Sequence, residues 1–255
     1  MIGSITVVGI GPGDLAHLTP VARQAIEAAD VIVGYVTYLR LIESLAPGVS
    51  RVSSGMRKEV ERVASAIEFA QQGQHVAVVS SGDSGIYGMA GLVYEMLDSR
   101  GVTDITVEVV PGITALSMAA ALLGAPLMTD FAVISLSDQL IPQADILRRV
   151  ELAAQADFVI GLYNPKGKKR VEAFERACRI LARYRQSSTP VGVVRSAART
   201  DQQVSIITLA ELPEAAVDML TILVIGSSHT RAFNGRMVTP RGYGEKYELG
   251  SEQDS

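Results

Sequence analysis

The chain is poor in several chemistries before it is rich in any. It carries one cysteine, Cys178, in 255 residues. No intrachain disulfide can form, and neither a multi-thiolate zinc site nor a fully cysteine-ligated iron–sulfur cluster can be built. Histidine is limited to His17, His75 and His229, and no Gly-x-Ser-x-Gly elbow occurs, so no activated nucleophile is evident. His75 opens a predicted strand and reads as structural. No apolar run reaches the roughly 18–20 residues that span a bilayer. The N-terminus shows no basic segment followed by an apolar stretch and a cleavage site, so a cytoplasmic protein with no membrane partner is expected. A net charge of −4 argues against nucleic acid as a partner. With 48% hydrophobic and 20% charged residues, the chain can bury a sizeable core, in one large or two smaller domains.

What the chain does have is three glycine-bearing loops, each at the end of an apolar β-branched run. They read Gly9-Ile10-Gly11-Pro12-Gly13-Asp14, Ser80-Ser81-Gly82-Asp83-Ser84-Gly85-Ile86-Tyr87-Gly88 and Val110-Pro111-Gly112-Ile113-Thr114-Ala115. In an open α/β sheet, ligands bind beyond the carboxyl ends of the strands, and glycine lets a backbone turn sharply and approach them. Three such loops predict one convergent site. Each alone could be a tight turn with Asx-type hydrogen bonds.

The periodicity predicts strands at 5–10, 31–33, 75–79 and 105–110, alternating with helices at 21–29, 38–45, 58–72, 89–97 and 113–122. Thr19-Pro20 supplies an N-cap and a first-turn proline, and Gly73 a helix terminator. This alternation predicts a mostly parallel sheet. Gly124-Ala125-Pro126-Leu127 reads as a hinge. Beyond it, strands at 132–136, 157–162, 190–194, 203–208 and 220–225, with helices at 145–155 and 169–184, predict a mixed sheet with antiparallel members. The expected organisation is an N-terminal α/β domain over 1–123, a C-terminal α/β domain over 128–243 and a loose polar tail over 244–255.

The loops also exclude ligands. The dinucleotide fingerprint needs glycine or alanine where Asp14 stands, and an acid at the end of the second strand, whereas Asp30 precedes it. The phosphate-binding Gly-Lys-Ser/Thr sequence is absent, and Asp14 and Asp83 would repel a polyphosphate. A neutral or cationic ligand fits better. An α/β module that binds nucleotides without catalysis is the competing class, separable by whether ATP or NAD binds more tightly.

At this point the chain resembles a known family, the class III S-adenosylmethionine-dependent methyltransferases of tetrapyrroles. The resemblance runs from about Ile5 to Tyr243. The general signature lies on Gly9–Asp14, Gly82-Asp83 and Pro111–Ala115. More specific segments are Gly34–Tyr38, Ser54–Glu59, Ser80–Met89, Asp130–Asp138, Leu162–Pro165 and Thr239–Tyr243. They are similar to the branch that methylates carbon-17 of precorrin-3B and contracts the ring to precorrin-4, or to its counterpart acting on a cobalt-bearing macrocycle. Another acceptor for the same donor is the neighbouring alternative. The resemblance implies two α/β domains with the donor held in the cleft between them, and a homodimer. It implies S-adenosyl-L-methionine as co-substrate, S-adenosyl-L-homocysteine as product, and no metal. Carried over by position, donor contacts fall on Pro12, Ser81, Gly82, Asp83, Ile86, Thr114 and Ala115. From the second half they fall on Asn164, Ala197 and Thr221. The chain departs from related members at Ser81, where they have glycine, and at Asn164, where they have methionine.

Methyl transfer from a sulfonium needs alignment and exclusion of water more than a nucleophilic side chain. The implied substrate carries several carboxylates, so cations should meet it: Arg57, Lys58, Lys168, Arg195 and Arg241. Lys166, Lys169 and Arg170 accompany Lys168 before and within the first turn of a predicted helix, where a bound anion would relieve their conflict with the helix dipole. A solvated basic surface is the alternative for each. Asp14 is the candidate general acid/base for ring contraction, the alternative being a turn-stabilising aspartate.

Overall fold

The computed structural model describes residues 3–55, 57–167 and 171–249. The chain divides into two compact units, Met1–Met118 and Ala119–Ser255.

The first unit is built on five parallel strands: β1 (Ser4–Gly9), β2 (Val31–Tyr35), β3 (Ser50–Ser54), β4 (His75–Ser80) and β5 (Thr106–Val110). Their order is β3-β2-β4-β1-β5. Strand parity separates two apolar faces, as a sheet buried on both sides requires. Ile5, Val7, Val31, Val33, Val76 and Val78 pack against helices α3 (Glu59–Gln71) and α4 (Ala90–Ser99). Val8, Ile32, Ala77 and Val79 face α1 (Pro20–Glu27) and α2 (Val36–Leu41). Each fully buried Val or Ile contributes roughly 1.5–3 kcal/mol.

Local signals set the helix ends. Thr19 accepts a hydrogen bond from the Ala22 amide at 3.1 Å, with Pro20 at the first helical position. Gly73, at φ 90°, follows α3. Helix α2 starts at Val36 and ends at Leu41, earlier than the 38–45 expected from the sequence. Its exit is held by Arg51, whose Nη2 donates to the carbonyls of Glu43 and Leu45 at 3.0 and 2.6 Å. Ser53 and Ser54 form the end of β3, a strand absent from the sequence-based expectation.

Helix α5 (Ala115–Leu123) follows the third glycine loop. The expected hinge at Gly124-Ala125 is instead β6 (Gly124–Ala125), paired in parallel with β13 (Arg236–Val238) inside the second unit. Strand β12 (Arg231–Phe233) pairs with β13 through a hairpin at Asn234-Gly235, both at positive φ.

The second unit's main sheet is mixed, as predicted. It comprises β7 (Phe131–Ser135), β8 (Val159–Tyr163), β9 (Pro190–Arg195), β10 (Gln203–Thr208) and β11 (Thr221–Ile225) in the order β10-β9-β11-β8-β7. Of its four pairings of neighbouring strands only β7–β8 is parallel. Helices α6 (Gln143–Gln155) and α7 (Glu172–Tyr184) cover its core. On α7 the buried residues Ala173, Phe174, Ala177, Cys178, Ile180 and Leu181 form one helical stripe. Helix α7 was predicted from 169, and residues 168–170 lie outside the described residues. A short helix α8 (Tyr243–Lys246) begins just before the stretch expected to be loose and runs into it.

A buried arginine binds the second unit together. Arg185 donates to the carbonyls of Ala154, Phe158 and Gly226 at 2.6, 3.0 and 3.1 Å and pairs with Asp157 at 3.2 Å. Asp157 in turn accepts from Ser228 Oγ at 2.6 Å.

Candidate active site

The register of the first sheet brings the three glycine loops together. Gly9 at the end of β1 lies beside Ser80 at the end of β4, and Val8 beside Val110 of β5. Their loops therefore leave three adjacent parallel strands on one edge. There they are hydrogen-bonded to one another. Gly11 and Gly82 form a two-residue antiparallel bridge, N–H to O distances being 3.1 and 2.7 Å. Asp83 accepts from the Gly112 amide at 3.0 Å and from the Gly85 amide at 2.8 Å, using both carboxylate oxygens. Ser84, fully buried, donates to Val7 O at 3.2 Å and lies 3.4 Å from Val110 O.

This junction explains two of the glycines. A Cβ on Gly9 would sit 2.6 Å from Gly112 N and 2.8 Å from Gly82 O. A Cβ on Gly112 would meet Gly82 O and lie 2.7 Å from the carbonyl of Gly9. All of these are backbone atoms, so nothing can swing aside. Asp83 is thus the clasp of the junction, its charge shared among backbone N–H groups.

The remaining residues of this edge have mixed standing. Thr114 caps α5, its Oγ1 accepting from the Ser117 amide at 2.9 Å. Ala115 opens that helix, Pro12 is buried, and Ile86 is 42% exposed on the second loop. Ser81 is partly exposed beside Gly82. Asp14 is exposed and spends Oδ1 on the Ala16 amide at 2.8 Å, the turn-stabilising alternative. Its Oδ2 has no partner among the described residues.

The donor set is therefore backbone amides, hydroxyls and carboxylates, without a lysine or arginine in the three loops. It suits a ligand with neutral and cationic parts and opposes a polyphosphate.

Residues 4–213 match the family model for Tetrapyrrole (Corrin/Porphyrin) Methylases. The chain is a tetrapyrrole methylase. Among relatives of this methylase, the cobalt-factor III methyltransferase of Priestia megaterium is 47% identical over 252 residues, covering 98% of this chain and 47% of that one. The chain thus spans about half of that relative's length. The probable cobalt-factor III C(17)-methyltransferase of Salmonella typhimurium is 46% identical over 94% of this chain and 99% of its own. The precorrin-3B C(17)-methyltransferase of a Sinorhizobium species is 41% identical over 91% of both. Among solved structures, the methyltransferase CobJ superposes with a TM-score of 0.88 at 36% identity, covering 93% of this chain and all of that one.

In the second unit of the methylase, the sequence-predicted residues stand at strand ends. Asn164 follows β8 at φ 52° and donates from Nδ2 to Ser135 Oγ at 2.9 Å. Ala197 is buried in the turn after β9, between Ser196 and Ala198, both left-handed at φ 50° and 57°. Thr221 begins β11, its Oγ1 3.0 Å from Asp218 Oδ1. Left-handed backbone at a non-glycine residue costs energy and concentrates at working sites. Arg57, Asn164, Ser196 and Ala198 carry it within three residues of strand carboxyl ends, and Tyr87 within the second glycine loop.

The expected cations separate sharply. Arg195 is engaged: Nε donates to Asp218 at 2.9 Å and Nη1 to Asp201 at 3.0 Å. The Asp218 hydrogen bond, reinforced by Asp201, holds its pKa above the ordinary arginine value. Both of its paired carboxylates belong to the second unit itself, so Arg195 meets a substrate carboxylate only by sharing or exchanging these partners. Lys58 pairs with Glu61 at 2.7 Å. Lys166 sits over the Phe174 ring at 5.6 Å. Arg57 and Arg241 are exposed and carry no ion pair among the described residues. Lys168, with Lys169 and Arg170, lies outside the described residues. His75 is structural, its Nδ1 2.7 Å from Ser4 Oγ.

Sequence reasoning missed Ser84 and Arg62, which are buried at this edge. Ser84 lies between the glycines of Gly82-Asp83-Ser84-Gly85, the one signal that marked it.

Proposed function

We propose that this chain is an S-adenosylmethionine-dependent methyltransferase that alkylates carbon-17 of a precorrin-3-level macrocycle with contraction of the ring. The observation that carries the reading is the hydrogen-bonded junction of three glycine loops in a tetrapyrrole methylase. In the first unit, Pro12, Ser81, Gly82, Asp83, Ile86, Thr114 and Ala115 hold the donor. Its sulfonium supplies an electrophilic methyl group and loses positive charge in the transfer. The chain's part is to bind, align and dehydrate, which needs the rigid edge that the junction provides. Asp14, with Oδ2 outside the turn, is the residue to carry a proton during ring contraction. Arg57 and Arg241 meet the carboxylates of the macrocycle, arginine binding them through two N–H groups.

Two acceptors compete. Metal-free precorrin-3B, giving precorrin-4, is the first. A cobalt-bearing macrocycle is the second, favoured by 46–47% identity to proteins named for cobalt-factor III against 41% for the one named for precorrin-3B. By family resemblance the enzyme is a homodimer, which light scattering tests.

The deciding experiment supplies S-adenosylmethionine with a 13C methyl group and either macrocycle. Label at carbon-17 of one product supports the reading and names the acceptor. Label at another carbon, or ATP or NAD binding more tightly than S-adenosylhomocysteine, contradicts it.

A further inference from the structure

Arg62, on the first turn of α3, is only 5% exposed, yet it is a guanidinium. Its Nε donates to Ser54 Oγ at 2.9 Å, its Nη2 to Gly55 O at 3.1 Å and its Nη1 to Met89 Sδ at 3.6 Å. None of these acceptors is charged. Burying a cation among neutral acceptors is costly, and an apolar side chain would fill a core position at less cost. Burial pulls the Arg62 pKa below the ordinary value, against the influence of Glu59, Tyr38 and Tyr35.

The contacts show what that cost secures. Ser54 is the last residue of β3 and Gly55 follows it. Arg57, two residues further on, is held left-handed at φ 64°. Met89 closes the Ser80–Gly88 loop and precedes α4. One buried fork therefore ties the exit of β3 to the end of the second glycine loop. At the same edge Tyr35 is in register with Ser54, and its ring meets that of Tyr38 edge-on at 5.2 Å between centroids. Lys58 is occupied by Glu61, which leaves Arg57 as the unpaired cation of this loop among the described residues. An aromatic pair at the end of β2 and an unpaired guanidinium three residues past the end of the adjacent β3 suit a flat macrocycle bearing carboxylates.

We propose that Arg62 is a positioning residue for acceptor recognition: it fixes the exit of β3 so that Arg57 is presented to a carboxylate of the macrocycle. The inference rests on the functional reading above. It makes Arg57 effective only while Arg62 holds the loop, so the two side chains act as one unit.

A double-mutant cycle on the full chain tests this, with uroporphyrin III as a stable polycarboxylate probe and S-adenosylhomocysteine as the control ligand. Arg57→Ala is expected to weaken probe binding about tenfold, the scale of one charge-assisted contact. Arg62→Lys keeps the charge but loses the fork. It is expected to weaken the probe about five- to tenfold and leave S-adenosylhomocysteine affinity within about twofold. The double variant should bind no more than about twofold more weakly than Arg57→Ala alone. Losses that multiply, or unchanged probe affinity in Arg62→Lys, overturn the proposal. If Arg62→Lys does not fold, Ser54→Ala takes its place: a roughly threefold loss that vanishes in the Arg57→Ala background supports the tether, and a loss that persists there overturns it. Wild-type protein that binds S-adenosylhomocysteine but not the probe removes the acceptor class, and the proposal with it; this outcome is distinct from multiplying losses.

Discussion

Gly112→Ala should loosen the edge of the first sheet and with it the proposed donor site. The added methyl would meet Gly82 O and lie 2.7 Å from both C and O of Gly9. Both partners belong to backbone already fastened by the Gly11–Gly82 bridge and by Asp83 on the Gly112 amide. Overpacking alone costs typically 1–3 kcal/mol, and a hydrogen bond lost as the strands part adds about 1 kcal/mol. The expected loss is therefore roughly 2–4 kcal/mol, which for a chain of this size lowers Tm by roughly 5–15 °C. S-adenosylhomocysteine affinity, read by calorimetry, should fall more than about tenfold because the loops that form the site are displaced. Gly91→Ala is the matched control. It adds the same methyl on α4, meets nothing within 4 Å, and should raise stability by up to about 1 kcal/mol. If Gly112→Ala kept the Tm and affinity of the wild type, the close approach of the loops would not be real, and the site built on it would fall.

Three other outcomes follow from the same geometry. Asp83→Ala removes both acceptors of the clasp and should lower S-adenosylhomocysteine affinity at least about tenfold in calorimetry; unchanged affinity would show that the clasp does not shape the site. Arg185→Met strips four carbonyls and Asp157 of their partner in the second unit and should cost about 3–5 kcal/mol in urea unfolding, a loss under about 1 kcal/mol contradicting the tie. Cys178, whose thiol burial pushes up to about 12, should resist iodoacetamide at pH 8 in the folded protein. Because the unfolded thiol ionises near 9, this thiol's contribution to stability is complete below pH 9 and declines as pH rises toward 12; Cys178→Ala should flatten that decline in alkaline unfolding curves.

Much of this was legible because several local signals agreed. Thr19-Pro20 and Gly73 set helix ends where the sequence placed them. The β-branched runs gave the buried strands of both units, and three glycine loops at strand ends did converge. The failures have particular causes. Ser50–Ser54 has almost no β-forming composition and is a strand because β2 pairs with it. The Asn234-Gly235 hairpin carried the strongest short-range hairpin signal and went unread between two three-residue strands. Gly124-Ala125 looked like a hinge because glycine and proline flank it, yet its backbone completes a ladder with β13. The ion pairs of Arg195 were not legible because its partners, Asp201 and Asp218, lie 6 and 23 positions away in sequence. Arg62 was hidden in an amphipathic helix, where a cation normally faces water.

The central claim is that loops 9–14, 80–88 and 110–115 together hold a sulfonium donor. Hydrogen–deuterium exchange with and without S-adenosylhomocysteine tests it most directly. The account predicts new protection in peptides covering all three loops, and ATP at the same concentration leaving them unprotected. Protection confined to other segments, such as the outer face of α6 and α7, would contradict it.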